Sequence, residues 1–164
     1  MKGKVLVACI GNIFLGDDGF GCEVAQQLGR TVLPSNVVVR DFGIRSYDLA
    51  YALMDDWDLA ILVDATPLGG EPGTVYTIQP ELPGDSDENA AFDAHAMNPV
   101  SVLRMVIALG GTVARVLVVG CEPETVAADE DGQIGLTSRV RAAVDEAVRV
   151  IQELVAHNSQ SAAA

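Results

Sequence analysis

Runs of apolar, β-branched residues recur along the chain at Val5–Ile10, Val37–Arg40, Leu59–Val63 and Val116–Val119. Near-continuous apolar runs of this length suit parallel strands that helices cover on both faces. A fifth run, Thr74–Ile78, alternates less clearly after the turn-rich stretch Pro67–Gly73 and is expected as an edge strand. Between these runs the apolar period lengthens to that of a helix. Gly21, Ala25, Leu28 and Val32 recur at i, i+4, i+7 and i+11, along one helical face. A second helix is expected from Ser46, a residue type suited to the N-cap, to about Met54. A third starts at Asn98-Pro99, a cap followed by a first-turn proline, and stops at Gly110-Gly111. Its expected stripe is Val100, Leu103, Val106 and Ile107. The fourth follows Thr137 and carries Val140, Val144, Ala147, Val148, Ile151, Leu154 and Val155 as a long apolar stripe.

Strands alternating with helices imply right-handed crossovers. The expected fold is therefore a three-layer α/β/α sandwich around a twisted, mostly parallel five-stranded sheet. The acidic stretch Pro80–Asp93 reads as an exposed loop rather than a domain boundary, and there is no internal repeat. One domain is expected over residues 1–157, since 164 residues with 49% apolar content can bury a single core. The small, polar residues 158–164 are expected to form a frayed tail.

Charge narrows the partners. With 23 acidic side chains against 10 basic ones, the chain carries a formal charge of −13. Nucleic acid is excluded, because its binding relies on basic side chains that displace counterions. Attraction to a cation or a basic peptide fits. Cys9, Cys22 and Cys121 form no C-x-x-C pair, so neither a disulfide framework nor a thiolate zinc site is indicated. The opening apolar run is too short for a membrane span and precedes no small-residue cleavage site. A cytoplasmic protein without a membrane partner is expected.

In such a sheet, ligands bind beyond the carboxyl ends of the strands. Strand one runs into Gly11-Asn12-Ile13-Phe14-Leu15-Gly16-Asp17-Asp18-Gly19; strand two ends at Asp41, strand three at Asp64, and strand five at Cys121-Glu122-Pro123-Glu124. Acidic groups thus follow four strands at one edge, the mark of a cation site. The first turn is glycine-rich, yet it lacks both G-x-G-x-x-G and Gly-Lys-Ser/Thr, and its two aspartates would repel a phosphate. One of Asp17 and Asp18 is expected to cap the following helix, leaving the other for the site. Position alone leaves Asp64 either held by backbone amides or working on a ligand. His95, in a loop before the third helix, reads by position alone more as a surface or capping histidine than as a ligand, and Asp93 could orient its ring. Two carboxylates and an imidazole would suit nickel, zinc or a similar divalent ion. No G-x-S-x-G elbow or H-E-x-x-H helix competes. Adjacent Asp17 and Asp18 do not make an aspartic-protease dyad, because i,i+1 side chains on a helix do not face each other.

The segment Gly11–Gly21 resembles the opening motif of the hydrogenase maturation proteases, and the resemblance continues through Val63-Asp64-Ala65, Pro72-Gly73-Thr74, His95, Gly120–Glu124 and Gly135-Leu136-Thr137. It implies an endopeptidase, historically classed as aspartic-type, that removes a C-terminal extension from the large-subunit precursor of a nickel–iron hydrogenase. It also implies that Asp18, Asp64 and His95 contact nickel and carry the chemistry, with Asn12, Asp17 and Asp41 in support. The nickel arrives with the substrate, so the free protein would be empty or hold a surrogate such as zinc or cadmium. Many relatives have Asp-Gly-Gly-Thr after strand two where this chain has Asp41-Phe42-Gly43-Ile44, which implies a bulkier wall and a different precursor specificity. A monomer is expected. The alternative is a non-catalytic chaperone that checks the metal of the immature large subunit.

Overall fold

A computed structural model describes residues 3–81, 98–113, 115–125 and 132–163. In chain order the elements are β1 (Val5–Ile10), α1 (Phe20–Leu28), β2 (Val37–Gly43), α2 (Ser46–Leu53), β3 (Leu59–Ala65), β4 (Val75–Ile78), α3 (Pro99–Ala108), β5 (Arg115–Cys121) and α4 (Ser138–Ala163). They build a five-stranded sheet in the order β2-β1-β3-β5-β4. All pairs are parallel except β4 with β5, so the expected edge strand is antiparallel.

The sheet is covered on both sides, which is why its central strands are apolar at every position. Val5, Val7 and Cys9 of β1, with Leu59, Ile61 and Val63 of β3, pack under α1 and α4. The alternate residues, Leu6, Ala8, Ile10, Ala60 and Leu62, pack under α2 and α3. This is the expected three-layer arrangement. Because β2 and β3 flank β1, the chain diverges beyond β1 to opposite sides of the sheet, opening a crevice at the carboxyl ends of β1 and β3.

Several boundaries differ from the sequence reading. The first helix stops at Leu28, with Gly29 at its C-cap, and leaves Val32 almost fully exposed. Arg45, not Ser46, occupies the N-cap position of α2, and no side chain caps that helix. Asn98 does cap α3, its side chain accepting from the Ser101 N–H at 2.9 Å. The buried face of α3 is Val102, Leu103, Met105 and Val106, while Val100 and Ile107 are partly exposed. That helix is apolar nearly all round, so its contact with α2 and the sheet, not its pattern, selects the inward face.

The largest correction concerns the C-terminus. The small, polar residues after His157 do not form a separate tail but continue α4 to Ala163. Asn158 is buried there, and the Ser159 hydroxyl donates to the Val155 carbonyl at 3.1 Å. Tertiary burial thus prolongs a helix that residue type alone would end. Among the described residues, no helix is long and apolar enough to cross a membrane.

Candidate functional site

The site begins where β1 ends. Gly11 is required there, since a Cβ would lie 2.2 Å from the Asp18 carbonyl oxygen. The chain then folds back in a turn set by the Asn12 side chain, whose Oδ1 accepts from the Phe14 N–H at 3.0 Å. A short 3-10 turn, Gly16–Gly19, carries both aspartates into α1. The Asn12 N–H donates to the Asp18 Oδ2 at 3.0 Å, which fixes the Asp18 carboxylate against the end of β1. Asn12 therefore braces this turn through its backbone as well as its side chain.

Asp18 and Asp64 come together across the crevice. Asp64 is buried within the last residues of β3, and burial, reinforced by the nearby charge of Asp18, raises its pKa well above the ordinary carboxylate range. A hydrogen bond from the Ala65 N–H opposes this only in part. Burial likewise raises Asp18, against the Asn12 hydrogen bond. Neither carboxylate joins a salt bridge among the described residues. Two desolvated, mutually repelling carboxylates without a cation are stabilised by any divalent ion brought between them.

The other acids at this rim have different work. Asp17 does not cap α1, contrary to expectation, and neither does Asp18: Gly19 holds that position without a side-chain bond. Asp17 is instead fully buried and accepts from Glu124, Thr125 and Thr137, across the rim. Glu122, one of the acidic groups at the strand ends, is also buried. Its carboxylate accepts from the Leu68 and Gly69 N–H groups at 2.9 and 3.1 Å and from the Tyr76 hydroxyl at 2.9 Å. Burial pushes Glu122 up, but these hydrogen bonds outweigh it and leave the group below its ordinary pKa. Asp17 and Glu122, each held by several donors, anchor loops, whereas Asp18 and Asp64 have fewer such donors and face the crevice.

Asp41 lies within β2, opposite a register shift at Cys9/Ile10, and is exposed. It accepts from the Gly43 N–H at 2.9 Å and from the Cys22 thiol at 3.4 Å. Burial, then the charge of Asp41, pushes the Cys22 thiol up to about 12, so it is a donor here and not a nucleophile. A cleft of about 560 Å³ between β2 and α2 is lined by Arg40, Asp41, Phe42, Arg45 and Tyr51, among others, but by neither Asp18 nor Asp64. Phe42 is largely buried in the core, whereas Ile44 is exposed. Arg45 folds back, donating to the Asp41 and Phe42 carbonyls at 2.7 and 3.1 Å. His95 and Asp93 lie outside the described residues. Among the described residues, no group of three His, Cys, Asp or Glu side chains is arranged to hold a metal ion.

A family model described as hydrogenase maturation protease (HycI) matches residues 22–154. The chain is 36% identical over 152 residues to a putative hydrogenase maturation protease of Methanocaldococcus jannaschii, covering 92% of this chain and 95% of that one. The hydrogenase maturating endopeptidase HybD of Escherichia coli superposes with a TM-score of 0.74 at 25% identity, covering 96% of this chain and 93% of its own. A hydrogenase 2 maturation peptidase from a Thaumarchaeota archaeon gives a TM-score of 0.68 at 29% identity, covering 93% and 97% respectively.

Proposed function

Because the chain belongs to the hydrogenase maturation protease family and is thus a peptidase, we propose that it removes the C-terminal extension of a nickel–iron hydrogenase large-subunit precursor in the cytoplasm. The nickel is part of the substrate. The observation that carries this reading is the pair Asp18 and Asp64, desolvated, electrostatically coupled and without a cationic partner among the described residues. Such a pair discriminates between a precursor that brings a metal and one that does not. His95 is the proposed third ligand, from the family resemblance.

Docking of the metal requires the carboxylates in their ionised form. Burial and the Asp18 charge raise the Asp64 pKa in the free protein, and an arriving cation favours its ionised form, since metal ligands must be deprotonated. Fixing the metal on Asp18 and Asp64 fixes the register of the scissile peptide. Orientation of this kind lowers barriers by roughly 7–11 kcal/mol in well-aligned reactions. Water is then the nucleophile, because the buried thiols carry raised pKa values and the sequence has no G-x-S-x-G elbow. A carboxylate freed of its proton serves as its general base, or the substrate's metal polarises the carbonyl.

Mass spectrometry of a nickel-loaded precursor incubated with the protein tests this reading. The expected result is loss of the C-terminal extension, and its absence from a metal-free precursor. His95→Ala is expected to fold normally and to abolish cleavage. A stable complex without cleavage would instead identify a metal-checking chaperone.

A further inference from the structure

Asp17 is fully buried at the rim, yet it has no part in the proposed chemistry. Its Oδ2 accepts from the Glu124 N–H at 2.9 Å and the Thr125 N–H at 3.1 Å. Its Oδ1 accepts from the Thr137 N–H at 2.8 Å, and the Thr137 hydroxyl lies 3.1 and 3.0 Å from the two oxygens. These donors sit 107 to 120 residues away in sequence, just after β5 and just before α4. A carboxylate has about four acceptor sites, so this one is nearly saturated. Charge-assisted bonds to a buried carboxylate are also the stronger kind.

The turn that carries Asp17 has no side-chain cap of its own. It is held on one side by the end of β1, through the Asn12 N–H on the Asp18 carboxylate. On the other side it meets the segment before α4, where the Gly16 N–H donates to the Gln133 carbonyl at 2.6 Å. Asp17 adds the tie to β5, the strand that pairs with β3 and so with Asp64. Since Asp17 and Asp18 share a peptide bond, any rotation of the turn that releases the first carboxylate displaces the second. We propose that Asp17 is the positioning residue of this site, clamping the Gly16–Gly19 turn to the β5–α4 connection so that Asp18 meets the substrate opposite Asp64. It acts through Asp18 and touches no substrate.

The kinetic arm of the test rests on the proposed function, and a spectroscopic arm does not. Asp17→Asn presents an amide donor to converging N–H groups, so it loosens the clamp with minimal change of shape. Cleavage of the nickel-loaded precursor is expected to lose about 100-fold in kcat, the scale of a small misplacement, with KM changed less than about threefold. In ¹H–¹⁵N spectra the Asn12 amide, now bonded to a fixed carboxylate, is expected to shift upfield and exchange faster. Thr137→Val should move both readings in the same direction by a smaller amount, and Thr137→Ser, which keeps the hydroxyl, should restore them. A folded Asp17→Asn with full kcat, or with the Asn12 resonance unmoved, overturns the proposal. If Asp17→Asn does not fold, the Thr137 pair decides by the same two readings. If the wild-type protein leaves the precursor uncut, the proposed function falls and the Asn12 resonance alone decides the clamp.

Discussion

At the scale of single residues, the rim acids differ in what surrounds them and not in what they are. Asp64 has one opposing hydrogen bond and a charged neighbour, whereas Glu122 has donors from a loop and a tyrosine. A carboxyl whose folded-state pKa is raised binds its proton more tightly in the folded chain. Its contribution to stability is complete below the unfolded-state pKa and is lost as pH rises through the folded value. Asp64→Asn keeps the size of the side chain and an acceptor while removing the charge. It should melt higher than the wild type at about pH 8, by roughly 2–4 °C for each kcal/mol recovered, and should cleave nothing. Calorimetry across a pH series checks this, because the gap must shrink as the medium becomes acidic. A gap that is constant with pH would show that Asp64 is not held protonated. The site thus gives up stability for function.

At the scale of elements, the crevice depends on how closely α1 approaches the sheet. A Cβ on Gly21 would lie 2.1 Å from the Ile10 carbonyl oxygen and 2.7 Å from that of Val63, both backbone atoms. Only glycine lets the first turn of α1 sit over the ends of β1 and β3, the two strands that present Asp18 and Asp64. Gly21→Ala is expected to cost about 1–3 kcal/mol or more, since a packed core yields poorly to added volume. Urea unfolding measures it, and an unchanged midpoint would contradict the close approach. The element scale also explains α4. Its last turns add no apolar stripe, yet Asn158 is buried and Ala162 lies near Gly3, so the N-terminal segment gives that helix a surface to continue on.

At the scale of the whole molecule, charge is the dominant global property. A formal charge of −13 on 164 residues repels itself in the compact state. Raising salt from about 10 mM to about 150 mM shortens the screening length from roughly 30 to 8 Å. The melting temperature should rise by a few degrees over that range, as followed by scanning fluorimetry; a fall would mean that attractive surface pairs prevail. Among the described residues, the exposed ion pairs Arg45–Asp48 and Arg149–Glu153 are local to their helices and offset little of this.

The apolar runs by themselves determined the sheet, because a strand buried on both faces has to be apolar at every position. With parallel strands, that also put Asp18 and Asp64 at one rim, since chain direction decides which end each strand presents. Residue type could not decide which of Asp17 and Asp18 turns inward. That choice depends on donors from Glu124, Thr125 and Thr137, more than a hundred residues away, and not on a local helix cap. The inward face of α3, the length of α4 and the anchoring of Glu122 were set in the same way, by neighbours that only the folded chain supplies. Local pattern placed the carboxylates at the crevice, and long-range hydrogen bonding sorted those that hold the turn from those that face the crevice.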